Sequence, residues 1–482
     1  MSRRLALWLL AGLLAALAVS WFGDVSAPLG DNHEGRILAR FALGIDNVEE
    51  KGLIDGALGA DMSPYGNIYA HHPPIPNWSY LAAATLPIKT EAALRVVSAL
   101  YGLVTIPALV FLLRGFGVRW SAAVPAVALM AVTTHFWLYG RVVGGIALPI
   151  LAVAMAIRMR DASTITRPQA ALLGVSLAAS AAWSWIGLAV AGGTCAWLLW
   201  HRRHRLLEEG LRERVALGAA VGGLVGLGLT VTWVAGHHGV EQIIDQVVHR
   251  SGSSGGSATT LGDLVRRQQT WMPALFPNWW LVLFVPSVIA GALHRRLRWL
   301  SLLASVTAIG YVVLLRQGAV VHDYWTFPLL GAGAIGTAAL LDLAIDRLPH
   351  RLVTVAASGV VVLLLAIHLP GIVGGETVDD LHAQPRQAGE LVHLRAPDVE
   401  DGQAWFTPGI ATPRWLSWYW DVSVKQLEDL ADARASDTEL VLVRLDRLPS
   451  WWVDDMQSVL LAEQGRYGIA RIGDLRASAR PD

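Results

Sequence analysis

The chain has 482 residues, 54% of them hydrophobic and only 16% charged, with 38 Asp and Glu balancing 38 Lys and Arg. A soluble protein of this length would need more polar surface, and a formal charge of zero gives no electrostatic reason to expect a nucleic-acid partner. The single cysteine, Cys195, excludes an intramolecular disulfide and a Cys-rich metal site.

The first apolar block, Leu5 to Phe22, follows Arg3 and Arg4. Ala18-Val19-Ser20 and Ser26-Ala27 are small enough for a signal-peptide cleavage site, but the run is long for a signal and many blocks follow, so a retained first helix is preferred. Each block near 20 apolar residues suffices to cross a bilayer. The expected spans are about 5–22, 93–113, 121–138, 143–158, 170–185, 187–200, 215–235, 279–293, 299–315, 325–346 and 352–369. The fold class expected is therefore an α-helical polytopic membrane protein of about eleven helices, with a small C-terminal α/β soluble domain.

With the N-terminus in the cytoplasm, every inner connection is arginine-rich: Arg114 and Arg119; Arg158, Arg160 and Arg167; Arg202, Arg203, Arg205, Arg212 and Arg214; Arg295, Arg296 and Arg298; Arg347 and Arg351. That is the positive-inside pattern. An odd number of spans places the C-terminus outside. Ala/Gly/Val-rich usage, with Arg in place of Lys, points to a GC-rich bacterial genome, so the expected location is the inner (plasma) membrane, crossed many times.

Residues 1–370 thus form a transmembrane domain with outer loops at 23–90 and 236–278, and residues 371–482 form an extracytoplasmic domain. In the second loop, Val240–His249 and Leu261–Met272 read as amphipathic surface helices flanking a flexible Gly/Ser stretch at 251–257. In the tail, 402–407, 439–444 and 467–472 read as strands, alternating with helices over 424–433 and 451–463. Trp405, Trp415, Trp418, Trp420, Trp451 and Trp452 could stack on sugar rings there, but tryptophans more often fill a core.

Four polar clusters lie beside span ends, where polar groups signal function. Asp31-Asn32-His33-Glu34-Gly35-Arg36 comes first, with Arg40 one turn on. Its carboxylates would take a proton from a hydroxyl nucleophile, or Asp31 would be a helix N-cap with Glu34 reaching back in a capping box. Tyr69-Ala70-His71-His72-Pro73-Pro74 comes second. Its prolines fix a corner from which His71 and His72 would hold a phosphate, a carboxylate or a metal, or simply line an interfacial turn. The third is His322-Asp323-Tyr324-Trp325, preceded by Arg316, and an aromatic membrane anchor is its plainer reading. The fourth is Tyr139-Gly140-Arg141, whose arginine would bind an anionic head group or snorkel.

In this order the clusters resemble the GT-C superfamily of glycosyltransferases, in particular the bacterial branch related to protein O-mannosyltransferases and the aminoarabinose transferases of lipid A. The resemblance covers residues 1 to about 370. It implies that Asp31 is the catalytic base, that His72-Pro73-Pro74 lies near a lipid phosphate, and that His322 and Tyr324 line the cavity. Where the mannosyltransferases carry Asp-Glu, this chain has Asp31-Asn32, which leaves open how Asp31 and Glu34 divide the work.

The donor implied is a sugar on a polyprenyl phosphate, and the acceptor a hydroxyl of a lipid, glycan or protein. Arg36, Arg40, Arg95, Arg141, His72 and Arg316 are the cations at hand for a departing phosphate. One base and no evident second nucleophile imply a single inverting displacement. The resemblance leaves room for a divalent metal without requiring one, and the Gly/Ser stretch at 251–257 would be a lid. The competing reading is a transporter or lipid flippase, which would want charges near mid-depth in several spans or inverted repeats. Most spans here lack central charges and no internal repeat is visible.

Overall fold

The computed structural model describes residues 3–23, 25–62, 68, 72–142, 147–160, 166–209, 214–237, 239–252, 259–374, 387–394, 404–406, 414–421, 424–426, 435, 440–447 and 459–474. Two compact units emerge. The first comprises Met1–Trp21, Ala70–Pro76 and Ser98–Pro370, and the second Phe22–Tyr69, Asn77–Val97 and Gly371–Asp482.

With helices numbered along the chain, the first unit holds α1 (Arg3–Gly23), most of α4 (Thr90–Gly115), α5 (Trp120–Ala131), α6 (Thr134–Tyr139), α7 (Ala147–Arg160), α8 (Arg167–Ala181) and α9 (Trp185–Glu209). It continues with α10 (Arg214–His237), α11 (Gly239–Arg250), α12 (Leu261–Leu275), α13 (Asn278–Leu293), α14 (Arg298–Leu314), α15 (Arg316–Val321), α16 (Pro328–Arg347) and α17 (His350–Gly374). Each expected span carries helix. Among the described residues, Arg3–Gly23, Thr90–Gly115 and Asp323–Arg347 are long and apolar enough to cross a membrane, and α12 and α13 form a pair bent by 109°. The expected span over 121–138 is two helices. Thr133 breaks it, because its hydroxyl accepts from Phe136 N (3.2 Å) and so caps α6.

Small residues four apart let α8 and α10 touch backbone to backbone. A Cβ on Gly222 would stand 2.2 Å from the Gly174 carbonyl, and one on Gly218 2.6 Å from that of Ala170. At one end of the bundle, Asp342 of α16 ties two other parts of the fold. Its Oδ1 accepts from Arg119 N at the start of α5 (3.1 Å), and its Oδ2 faces His294 Nε2, just past α13, at 3.2 Å. Leu297 N donates to His294 Nδ1 (3.2 Å), which leaves the imidazole proton on Nε2, pointing at Asp342.

The second unit holds α2 (His33–Lys51), α3 (Ile75–Ala84), the first turns of α4, a helix α18 over 387–394, and α19 (Arg414–Trp420). Its five-stranded sheet is built from β1 (Ala404–Phe406), β2 (Val424–Gln426), β3 (Leu440–Arg444), β4 (Leu460–Gln464) and β5 (Tyr467–Arg471), in the order β2-β1-β3-β5-β4. The β1 strand runs parallel to β2 and β3, while β5 is antiparallel to β3 and β4. One core joins Leu38, Ala42 and Ile45 of α2 to Trp415, Trp420, Leu442 and Ile469.

Two expected tail helices are corrected where the chain is described. Residues 424–426 and 460–464 are strands; the rest of those predictions, 427–433 and 451–458, lies outside the described residues. Leu460–Gln464 is rich in helix formers, but sheet pairing overrides propensity once Gly465, at φ +59°, turns the chain back onto β5. Trp415 and Trp420 are core, and Trp418 packs against that core.

Removing Asp342 leaves His294 and the α5 N-terminus without their acceptor. Asp342→Ala is expected to destabilise the protein by about 3 kcal/mol, the low end for a broken buried pair because Arg119 is partly exposed. A melting temperature in detergent unchanged from wild type would contradict that role.

Candidate functional site

In the second unit the site begins at Arg95, on the first turns of α4, whose side chain is 4% exposed. Its guanidinium donates to the carbonyls of Val25 (3.2 Å), Ala27 and Pro28 (3.1 Å), and Glu34 Oε2 lies 3.8 Å from its Nε. The same segment is held from the tail, where Leu29 N donates to the Tyr419 hydroxyl (2.7 Å) and that hydroxyl donates to Glu91 (3.2 Å). Gly35 lets α2 start against this segment, since a Cβ there would stand 2.3 Å from the Gly30 carbonyl.

Asn32 caps α2, accepting from Gly35 N at 2.6 Å. This corrects the capping alternative for Asp31: the cap is one residue later, and Gly35 occupies the position where a capping box needs an acid. The Asp31 carboxylate is therefore free of helix duty. Its Oδ1 accepts from Arg36 Nε (3.1 Å) and Nη2 (2.9 Å), while Oδ2 accepts from the Tyr467 hydroxyl at 3.4 Å. Burial pushes the Asp31 carboxyl above the ordinary aspartate range, against the opposing pull of Arg36, Arg444 and the Tyr467 phenol. Arg40 is half-buried on the following turn of α2.

In the first unit, His72 is exposed before α3 and His71 lies outside the described residues. Arg141 is buried just past α6. Arg316 opens α15 and donates to the Thr259 carbonyl (2.6 Å), so it anchors the end of the Gly/Ser loop, of which 253–258 lie outside the described residues. The late motif forms a compact polar and aromatic cluster. Tyr139 donates to Asp323 (2.6 Å), and the Tyr324 ring lies 5.8 Å from Tyr139 and 5.1 Å from His322. His135, fully buried, stands edge-on to Tyr139, Phe276 and Phe327.

Arg250 joins this cluster, and sequence reasoning did not single it out. Its Nη1 donates to Gln317 (3.0 Å) and lies 3.4 Å from His322 Nε2, and its guanidinium lies over the Trp325 ring. The available signal was positional: a cation ending an amphipathic helix beside the Gly/Ser stretch. Tyr467, Tyr419 and Glu91 were also missed, because nothing in their local sequence announces contacts hundreds of residues away. Among the described residues, no group of three or more His, Cys, Asp or Glu is placed to hold a metal ion.

No protein-family model and no curated sequence matches the chain. Solved structures do. ArnT from Cupriavidus metallidurans bound to undecaprenyl phosphate superposes with a TM-score of 0.56 at 15% identity, covering 98% of this chain and 99% of that one. Its apo form gives 0.54 at 14% identity over the same shares. The arabinofuranosyltransferase AftD from Mycobacteria is a looser likeness, at 0.48 and 16% identity over 99% of this chain and 37% of that one. The fold is that of the GT-C membrane glycosyltransferases. With its apolar helices, the chain is a multi-pass membrane protein.

The two acids should separate on mutation. Glu34→Gln is expected to lower stability by about 1–3 kcal/mol, since it leaves Arg95 with carbonyl partners but no counter-ion, whereas Asp31→Asn should melt close to wild type. Equal losses in thermal melts of the two variants would remove this division of roles.

Proposed function

We propose that the chain is a membrane glycosyltransferase that moves one sugar from a polyprenyl phosphate to an acceptor hydroxyl in a single inverting displacement. The observation that carries this reading is the Arg250–His322 pair, a guanidinium and an imidazole 3.4 Å apart against Trp325, in a chain of GT-C fold. A guanidinium with several N–H donors, set beside an imidazole and backed by an aromatic ring, suits a phosphate that carries a lipid tail. That the ArnT structure holds undecaprenyl phosphate supports the lipid class.

In this reading the acceptor oxygen attacks the anomeric carbon, the bond from that carbon to the phosphate oxygen breaks, and the polyprenyl phosphate departs as an anion. Arg250, Arg141, His72 and His322 stabilise that anion, and the acceptor proton passes to Asp31. Arg36 fixes the Asp31 carboxylate, and a carboxyl raised by burial is a stronger base than an exposed one. Glu34 has a structural part, as the counter-ion of Arg95. Arginines and histidines do the electrostatic work, so this chemistry does not require a divalent metal. Sugars of five or six carbons and lipid, glycan or protein acceptors all fit the scheme. In this reading the N-terminus is cytoplasmic and the chemistry lies on the opposite face of the inner membrane, an orientation the arginine-rich connections support.

Purified protein is expected to bind undecaprenyl phosphate, and Arg250→Ala, Arg141→Ala or His72→Ala should each weaken binding about 10- to 100-fold, the worth of one charge-assisted contact. Absence of binding by a folded preparation would favour a transporter instead. Asp31→Asn should retain binding and fold but lose transfer by at least about 100-fold once an acceptor is in hand. An active Asp31→Asn enzyme would exclude Asp31 as the base.

A further inference from the structure

Tyr467 is the first residue of β5, directly after the Gly465–Arg466 turn that closes the β4–β5 hairpin. Its hydroxyl is the hydrogen-bond donor at Asp31 Oδ2 among the described residues, since Arg36 binds the other oxygen. Arg444 stands opposite Tyr467 in the β3–β5 ladder and adds its charge to the neighbourhood, but its guanidinium is tied to Asp446 at 2.8 Å. The Asp31 side chain is 2% exposed and Tyr467 is 1% exposed, so this carboxylate is closed off from water. A base that must take a proton from an incoming hydroxyl is thus already occupied by a hydroxyl of the protein's own.

We propose that Tyr467 is a positioning residue whose phenol covers Asp31 and holds the place of the acceptor hydroxyl, so that acceptor binding displaces it and the β4–β5 hairpin borders the acceptor end of the site. The proposal rests on the reading of Asp31 as base. The exchange is balanced: one O–H···O bond to Oδ2 is lost, another forms, and no proton moves until the sugar is transferred. The geometry suits displacement. At 3.4 Å the phenol is beyond the usual O–H···O range, whereas the two Arg36 bonds keep the carboxylate oriented after the phenol leaves. Burial and the neighbouring Asp31 charge raise the phenol's own pKa, so it remains a donor at any physiological pH.

The test uses full-length protein in liposomes and a hydrophobic carbodiimide, which attacks protonated carboxyl groups, with the Asp31 adduct measured by peptide mass spectrometry across pH. The groups facing Asp31 are Arg36 from α2, Arg444 from β3 and Tyr467 from β5, and all three favour the ionised form. Removing the phenol donor in Tyr467→Phe should therefore move the labelling midpoint upward and speed labelling at neutral pH at least about twofold, the worth of a weak hydrogen bond. Labelling of Glu34 and the melting temperature should not change, which a merely structural role for Tyr467 would not produce. Tyr467→Ala, which also removes the ring, should label faster still. A Tyr467→Phe protein that labels like wild type, or an Asp31 that stays unlabelled in Tyr467→Ala, overturns the proposal. Neither result bears on Asp31 as base, which the Asp31→Asn assay decides separately.

Discussion

The buried guanidinium of Arg95 is the interaction on which the second unit depends. A charge this far from water needs compensation, and here backbone carbonyls of the 25–28 segment accept from its terminal nitrogens while the Glu34 carboxylate, 3.8 Å from Nε, supplies the opposite charge. The consequence is positional. Residues 25–32 form neither helix nor strand, yet they are pinned at the Val25, Ala27 and Pro28 carbonyls by Arg95 and at Leu29 by Tyr419. Asp31 follows directly, so its place is set by Arg95 on the chain before it and by Arg36 of α2, which binds both its carboxylate and its carbonyl.

That arrangement separates two carboxylates three residues apart. Glu34 is buried on the first turn of α2 with Arg95 3.8 Å away, while Asp31, just outside the helix, is bound among the described residues by Arg36 and by the long contact to Tyr467. Asn32 is what permits this. By capping α2 itself, it relieves Asp31 of the role an acid before a helix usually fills. The departure of this chain from an Asp-Glu pair thus has a structural reading: the residue after Asp31 is used for the cap, and the second acid is used for Arg95.

In the first unit, too, some buried polar side chains are held by specific partners. Asp342 is held by an imidazole and a helix N-terminus, and Tyr139 and Asp323 satisfy one another. Elsewhere the bundle relies on close backbone approach, as at Gly174 and Gly222, because apolar side chains gain little from leaving lipid for protein. Arg250 belongs to the first group. Gln317, His322 and Trp325 together hold a cation that its own helix would leave facing solvent.

Much of this was legible in the sequence. Apolar block length placed helix in each expected span, though it missed the break at Thr133 and the short α15, and the order of Asp31, His72-Pro73-Pro74, Arg141 and His322-Asp323-Tyr324 pointed to the GT-C fold. The amphipathic helices at α11 and α12 were equally visible from their periodicity. Local signals failed where pairing partners are distant. The strand at 460–464 is built from helix formers and that at 424–426 has a single β-branched residue, Val424, so both depend on the hydrogen bonds a neighbouring strand supplies. The division of roles between Asp31 and Glu34, the recruitment of Arg250, and the phenol of Tyr467 on a carboxylate 436 residues away were decided by tertiary structure alone. Burial and proximity set what a charged group can do, and neither is a property of the residues beside it in the chain.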